Sequence, residues 1–138
     1  MVELAEIIKF VKDHTGSDEV AENSDIADDL GVDGDDFDEL IGSFAKKYNV
    51  DVSSCLWYFH FAEEGSWNSI GKAFFSSPDQ RVQRIPVTPL MLLEFARKGK
   101  WDIPYSDHTI PKRRYDIIIN VLLIIGALIF VIYKCAAK

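Results

Sequence analysis

The sequence predicts a mainly α-helical domain followed by one C-terminal transmembrane helix, with α+β as the alternative through a short strand or hairpin region. Three observations carry that prediction. Apolar residues recur at helical spacing in three segments before residue 100. An uncharged, almost wholly apolar run covers residues 117–133. Charge divides sharply along the chain: residues 1–80 hold five basic and eighteen acidic side chains, net −13, whereas residues 81–138 hold ten basic and four acidic, net +6. The 138 residues suffice for one domain and one appendage.

The first helix is expected over Val2 to His14, where Leu4, Ile7, Ile8 and Val11 share a face and Gly16 can end it. Residues 17–27 are polar and acidic and read as a loop. Asp35 or a neighbour opens a second helix whose stripe, Phe37, Leu40, Ile41, Phe44 and Tyr48, follows the helical period. Asp35, Asp36, Asp38 and Glu39 crowd its start, and Lys46 and Lys47 lie at its end, each on the side that the helix dipole favours. "CLWYFHF" is compatible with a short strand or a short helix. "EEGSWNSIGKAFFSSPDQ" reads as a loop with one helical turn, and "RVQRIPVT" as extended chain. Thr88 is an N-cap and Pro89 a first helical residue for "PLMLLEFARK", which Gly99 closes. The aromatic residues Trp57, Tyr58, Phe59 and Phe61 are expected in the core, and Trp101 packed on the domain.

Residues 102–114 read as a linker with a basic flank, residues 115–134 as the transmembrane helix and residues 135–138 as a short tail. The seventeen uncharged residues from Ile117 to Tyr133 would extend about 25 Å as a helix, near the lower limit for a bilayer core. Asn120 is their one strongly polar member. Tyr115 and Tyr133 bracket the run, with Lys112, Arg113 and Arg114 before it and Lys134 and Lys138 after it. "MVELAEIIKF" lacks the basic start of a secretory signal, so the N-terminal domain is expected in the cytoplasm. "CAAK" is rejected as a prenylation box because Lys is a poor final residue there and the run precedes it. Gly126 with Ala127, or an Asn120 hydrogen bond, offers a weak route to span pairing.

Few chemistries fit. Two distant cysteines, Cys55 and Cys135, make neither a disulfide framework nor a zinc pattern. His14, His60 and His108 are scattered, and Cys55 with His60 or His108 would have to meet in space to form a nucleophile. A buried cysteine and satisfied or solvated histidines are the expected arrangement. No catalytic residue, metal ligand or cofactor site is assigned. If "DDLGVDGDDFDEL" were a calcium loop with Gly34 as its turn glycine, Gly31 and Leu40 would stand where ligands are required. The acidic first half argues against nucleic acid as a partner.

"IADDLGVDGDDFDELIGSFAKKYNVDV" resembles the acyl carrier protein core around its second helix. Asp29, Leu30, Gly31 and Asp33 match the family pattern, as do Glu39 and Leu40. Gly34 replaces the serine that carries phosphopantetheine, and Asp35 replaces the following leucine. The resemblance therefore implies a carrier-like fold without the usual attachment chemistry. Taken with "KKYNVDVS", "YFHFAEEG" and "IPVTPLMLLEFARKGKW", roughly residues 2–105 resemble a bacterial acyl-carrier-like family, the domain of unknown function 1493 family, in which Gly-Asp-Asp is usual. The resemblance implies an acyl-carrier-like helical bundle over residues 1–101, cytoplasmic, of unestablished role.

The expected surface for partners is the acidic helix start, Asp33, Asp35, Asp36, Asp38 and Glu39, facing a protein with a basic patch. The competing reading is a solvated face partly neutralised by the basic second half. The expected role is a non-enzymatic adaptor held at a bilayer, the bacterial inner membrane, by residues 117–133. The alternative is a carrier or binder of an acyl or lipid group without the serine-linked arm.

Overall fold

The stripe from Phe37 to Tyr48 lies on an α-helix that starts at Gly34, one residue before the expected opening. The computed structural model describes residues 2–62 and 69–136. It places α1 at Leu4–Thr15, α2 at Gly34–Tyr48, α3 at Ile70–Phe74, α4 at Pro89–Lys98 and α5 at Tyr115–Ala136. Residues 63–68 of the predicted loop and the last two residues of the predicted tail lie outside the described residues.

Ile7, Phe10 and Val11 of α1, Phe37, Leu40, Ile41 and Phe44 of α2, and Leu92, Leu93 and Phe95 of α4 form one buried core. Each such side chain stabilises the fold by about 1.5 to 3 kcal/mol. Helix α1 packs on α4. The Thr88 side chain accepts from the Met91 amide, and Pro89 occupies the first turn of α4 as expected. Trp101 is buried as predicted, its ring 4.6 Å from that of Phe95. Of the aromatic group, Phe59 and Phe61 enter the core, and Trp57 and Tyr58 are half-buried.

The expected strand or hairpin is corrected: the described residues contain no strand. "CLWYFHF" forms a tight 3-10 turn, Trp57–Phe59, because its amides bond backward, His60 N to Trp57 O at 2.8 Å and Phe59 N to Leu56 O at 3.0 Å. A short apolar run does not by itself distinguish strand from helix. "RVQRIPVT" is extended as predicted but forms no ladder. It straps the domain through single bonds, Ile85 N to Phe59 O at 2.6 Å and Ile26 N to Val87 O at 2.9 Å. Among the described residues one isolated bridge forms, parallel, between Asp51 and Lys100.

The loop "EEGSWNSIGKAFFSSPDQ" contains more helix than expected, namely α3 and a 3-10 turn over Pro78–Arg81. Helix α3 rests against the first turns of α5. The Gly71 amide donates to Asn120 Oδ1 at 2.9 Å, and Asn120 Nδ2 donates to Ser69 Oγ at 2.6 Å. Ser69 Oγ also accepts from the Lys72 amide and so caps α3. The backbones meet at Gly71, where an added Cβ would lie 1.9 Å from the Asp116 carbonyl oxygen. Arg114 holds both Asp116 oxygens, Nε to Oδ1 at 3.0 Å and Nη2 to Oδ2 at 2.7 Å, so this basic residue of the predicted flank is neutralised locally. Asn120, counted above as available for span pairing, is engaged within its own chain.

Two glycine-to-alanine substitutions should therefore have opposite effects. Gly42, inside α2, has open space where a Cβ would go, and Gly42→Ala should stabilise the protein by up to about 1 kcal/mol. Gly71→Ala forces α3 off α5. Limited proteolysis of the detergent-solubilised full chain should show faster cleavage within residues 69–81 in Gly71→Ala and no acceleration in Gly42→Ala.

Candidate functional site

The acidic run separates into two sets. Asp25 organises the first. Its Oδ1 accepts from the Ala27 amide at 3.1 Å, and its own amide donates to Asp29 Oδ2 at 2.8 Å, which closes the turn before α2. Arg84, from the extended strap, forks onto Asp25 and also reaches Asp28. Burial opposes ionisation of Asp25, but the guanidinium and the backbone donors outweigh it and hold the carboxyl below its ordinary range. Here the basic second half neutralises the acidic first half within one molecule.

The second set comprises Asp33, Asp35, Asp36, Asp38 and Glu39. All five are exposed, and none forms a salt bridge with a described residue. Asp33 stands at the N-cap of α2 without a side-chain capping bond. Partial burial and the charges of Asp28 and Asp25 raise its pKa, while Arg84 acts against that rise. Partial burial and the charge of Asp35 raise that of Asp38. Asp35, Asp38 and Glu39 share a helical face by their spacing, which places like charges side by side. The helix dipole partly offsets that repulsion. Asp36 and Glu39 also border a groove of about 220 Å³ with His14, Leu30, Val32 and Leu40.

Gly34, where the resemblance places a lost serine, has a conformational role. It is buried in the first turn of α2 with φ +55°. That left-handed region suits glycine and costs an L-residue roughly 1 to 2 kcal/mol. A serine introduced here would be strained as well as covered.

A second polar group lies inside the domain, and the sequence reading missed it. Tyr105, in the predicted linker, accepts from Trp101 Nε1 at 2.8 Å and from the Leu56 amide at 3.1 Å. His60, almost fully buried, donates from Nδ1 to the Ile85 carbonyl at 3.0 Å, so its Nε2 accepts the Tyr105 proton at 2.9 Å. Cys55 also contacts the Tyr105 hydroxyl, but burial and the Asp38 charge push its thiol up to about 12. The cysteine and a histidine are thus linked through Tyr105, and the thiol stays protonated at neutral pH. His108 is apart from this group, bonded to the Tyr58 hydroxyl at 2.8 Å. Together these contacts bind the first half of the predicted linker along the domain. Little local signal announces the arrangement, because two of the three bonds at the Tyr105 hydroxyl join residues 45 and 49 apart, and that to Trp101 spans four.

Replacing Tyr105 by Phe leaves a buried indole N–H, an amide and an imidazole nitrogen without partners. Denaturant unfolding should show a loss of about 2 to 4 kcal/mol. Burial also lowers the His60 pKa, so its contribution is complete above the ordinary value of 6.5 and is lost as pH falls below it. Wild-type stability should accordingly be lower at pH 5.5 than at pH 7.5.

Residues 4–103 match the family described as Protein of unknown function (DUF1493), a stretch that runs from the start of α1 to just past Trp101 and leaves α5 outside. No curated protein and no solved structure matches the chain. With well over half of its length in that match, the chain belongs to the DUF1493 family.

Proposed function

We propose that this protein is a non-enzymatic adaptor, carrier-like in its helical domain and held at a bilayer by α5, which receives a basic protein partner on the acidic start of α2. The observation that carries this reading is the set of five exposed carboxylates at one helix start that form no salt bridge with a described residue, beside a second set that Arg84 bonds. A face that served only for solvation would have no need of such a division. Complementary charge on a partner would relieve the repulsion, speed encounter and set orientation.

Helix α5 is long and apolar enough to cross a membrane, and only 6% of its apolar window is buried. The proposed placement is the cytoplasmic face of a bacterial inner membrane. Lys112 and Arg113, exposed at the root of α5, support that side. The left-handed Gly34 supports recognition without a prosthetic arm.

The test is a crosslinked pull-down of the full chain from membranes, run beside Asp35→Lys/Asp36→Lys/Asp38→Lys at matched abundance. The partner captured by wild type should be lost from the variant and should weaken with added salt. If the same protein is recovered in equal amount by both, the proposal is wrong.

A further inference from the structure

We infer that α3 is a lipid-inserted element, seated at the headgroup–acyl boundary alongside the first turn of α5. The inference rests on the proposed reading of α5 as a span. Helix α3 exposes Ile70 at 56% and Phe74 at 73%, and the adjoining Phe75 at 41%. Its one charged side chain, Lys72, turns inward, 6% exposed and 3.8 Å from Asp79. The outward face, including Ala73, is therefore wholly apolar.

Its position specifies the occupant. The Gly71 backbone against the Asp116 carbonyl and its bond to the Asn120 side chain fix α3 level with the first turn of α5, a span of about 6 Å at 1.5 Å per residue. Interfacial helices bury their apolar faces roughly 5 to 10 Å deep, which matches. The Phe75 ring lies 5.6 Å from that of Tyr115, which places two aromatic residues at the level where they favour the interface. Ile117, Ile118 and Val121, in the first turns of α5, are exposed apolar residues as well. Lys112 and Arg113, exposed just before α5, are placed to meet anionic headgroups. Five residues are too few for a free interfacial helix, and the joint to α5 supplies the order it could not keep alone.

The test uses the full chain carrying Cys135→Ser, reconstituted in phosphatidylcholine–phosphatidylglycerol vesicles. An environment-sensitive fluorophore is attached at Phe74→Cys, Leu122→Cys or Glu94→Cys, and the same chain without an added cysteine, labelled in parallel, gives the contribution of half-buried Cys55. The Phe74 probe should shift to the blue, lose most of its emission to nitroxides on the lipid chains and ignore aqueous iodide. Leu122 should behave in the same way, and Glu94 in the opposite way. If Phe74 follows Glu94 while Leu122 reports hydrocarbon, the inference is overturned and the span stands. If Leu122 also reports water, the span reading fails and the inference fails with it.

Discussion

The relation of the domain to α5 depends on the side chain of Asn120. It is the one strongly polar group within the apolar run, and an amide left unbonded in hydrocarbon costs several kcal/mol. Both of its ends are used, Oδ1 by the Gly71 amide and Nδ2 by Ser69 Oγ. That requirement propagates outward. The backbones must come close, which excludes a side chain at residue 71. Asp116 is then covered by α3 and must be neutralised, which Arg114 does. Lys72 is drawn inward toward Asp79, and the opposite face of α3 is left apolar.

The same logic of local neutralisation governs the acidic half. Arg84 crosses 59 residues of sequence to engage Asp25, and in doing so fastens the extended strap to the turn that precedes α2. The carboxylates that it does not bond remain as a compact negative face at the start of α2. Its underside is held by Phe37, Leu40, Ile41 and Phe44. The Tyr105 hydroxyl secures the chain after α4 to the same core, so the path from domain to α5 is not a free tether over its first half.

Much of this was legible in the sequence, for physical reasons. The stripes of α1, α2 and α4 are local periodicities imposed by one buried face. The length and composition of α5 follow from its apolar run. Thr88, Pro89 and Gly99 mark helix ends because capping is a local matter. The five carboxylates were visible as composition, but their separation from Asp25 and Asp28 was not, since it depends on where Arg84 falls. The Tyr105 group and the Asn120 joint were not legible because the bonds that tie them to other elements link residues 45 to 51 apart through single side chains. "CLWYFHF" was compatible with a short strand or a short helix, and backward amide bonds with burial of Phe59 and Phe61 select the helical turn.

The joint between α3 and α5 is the central structural claim, and the Gly71 amide reports on it directly. Gly71 is the second residue of α3, a position whose amide has no partner within its own helix. Among the described residues, its acceptor is the Asn120 side chain. Residue-resolved hydrogen exchange of the full chain in vesicles should find the Gly71 amide protected in wild type and unprotected in Asn120→Ala, with the α2 amides unchanged. Exchange of Gly71 at the same fast rate in both proteins would contradict the account.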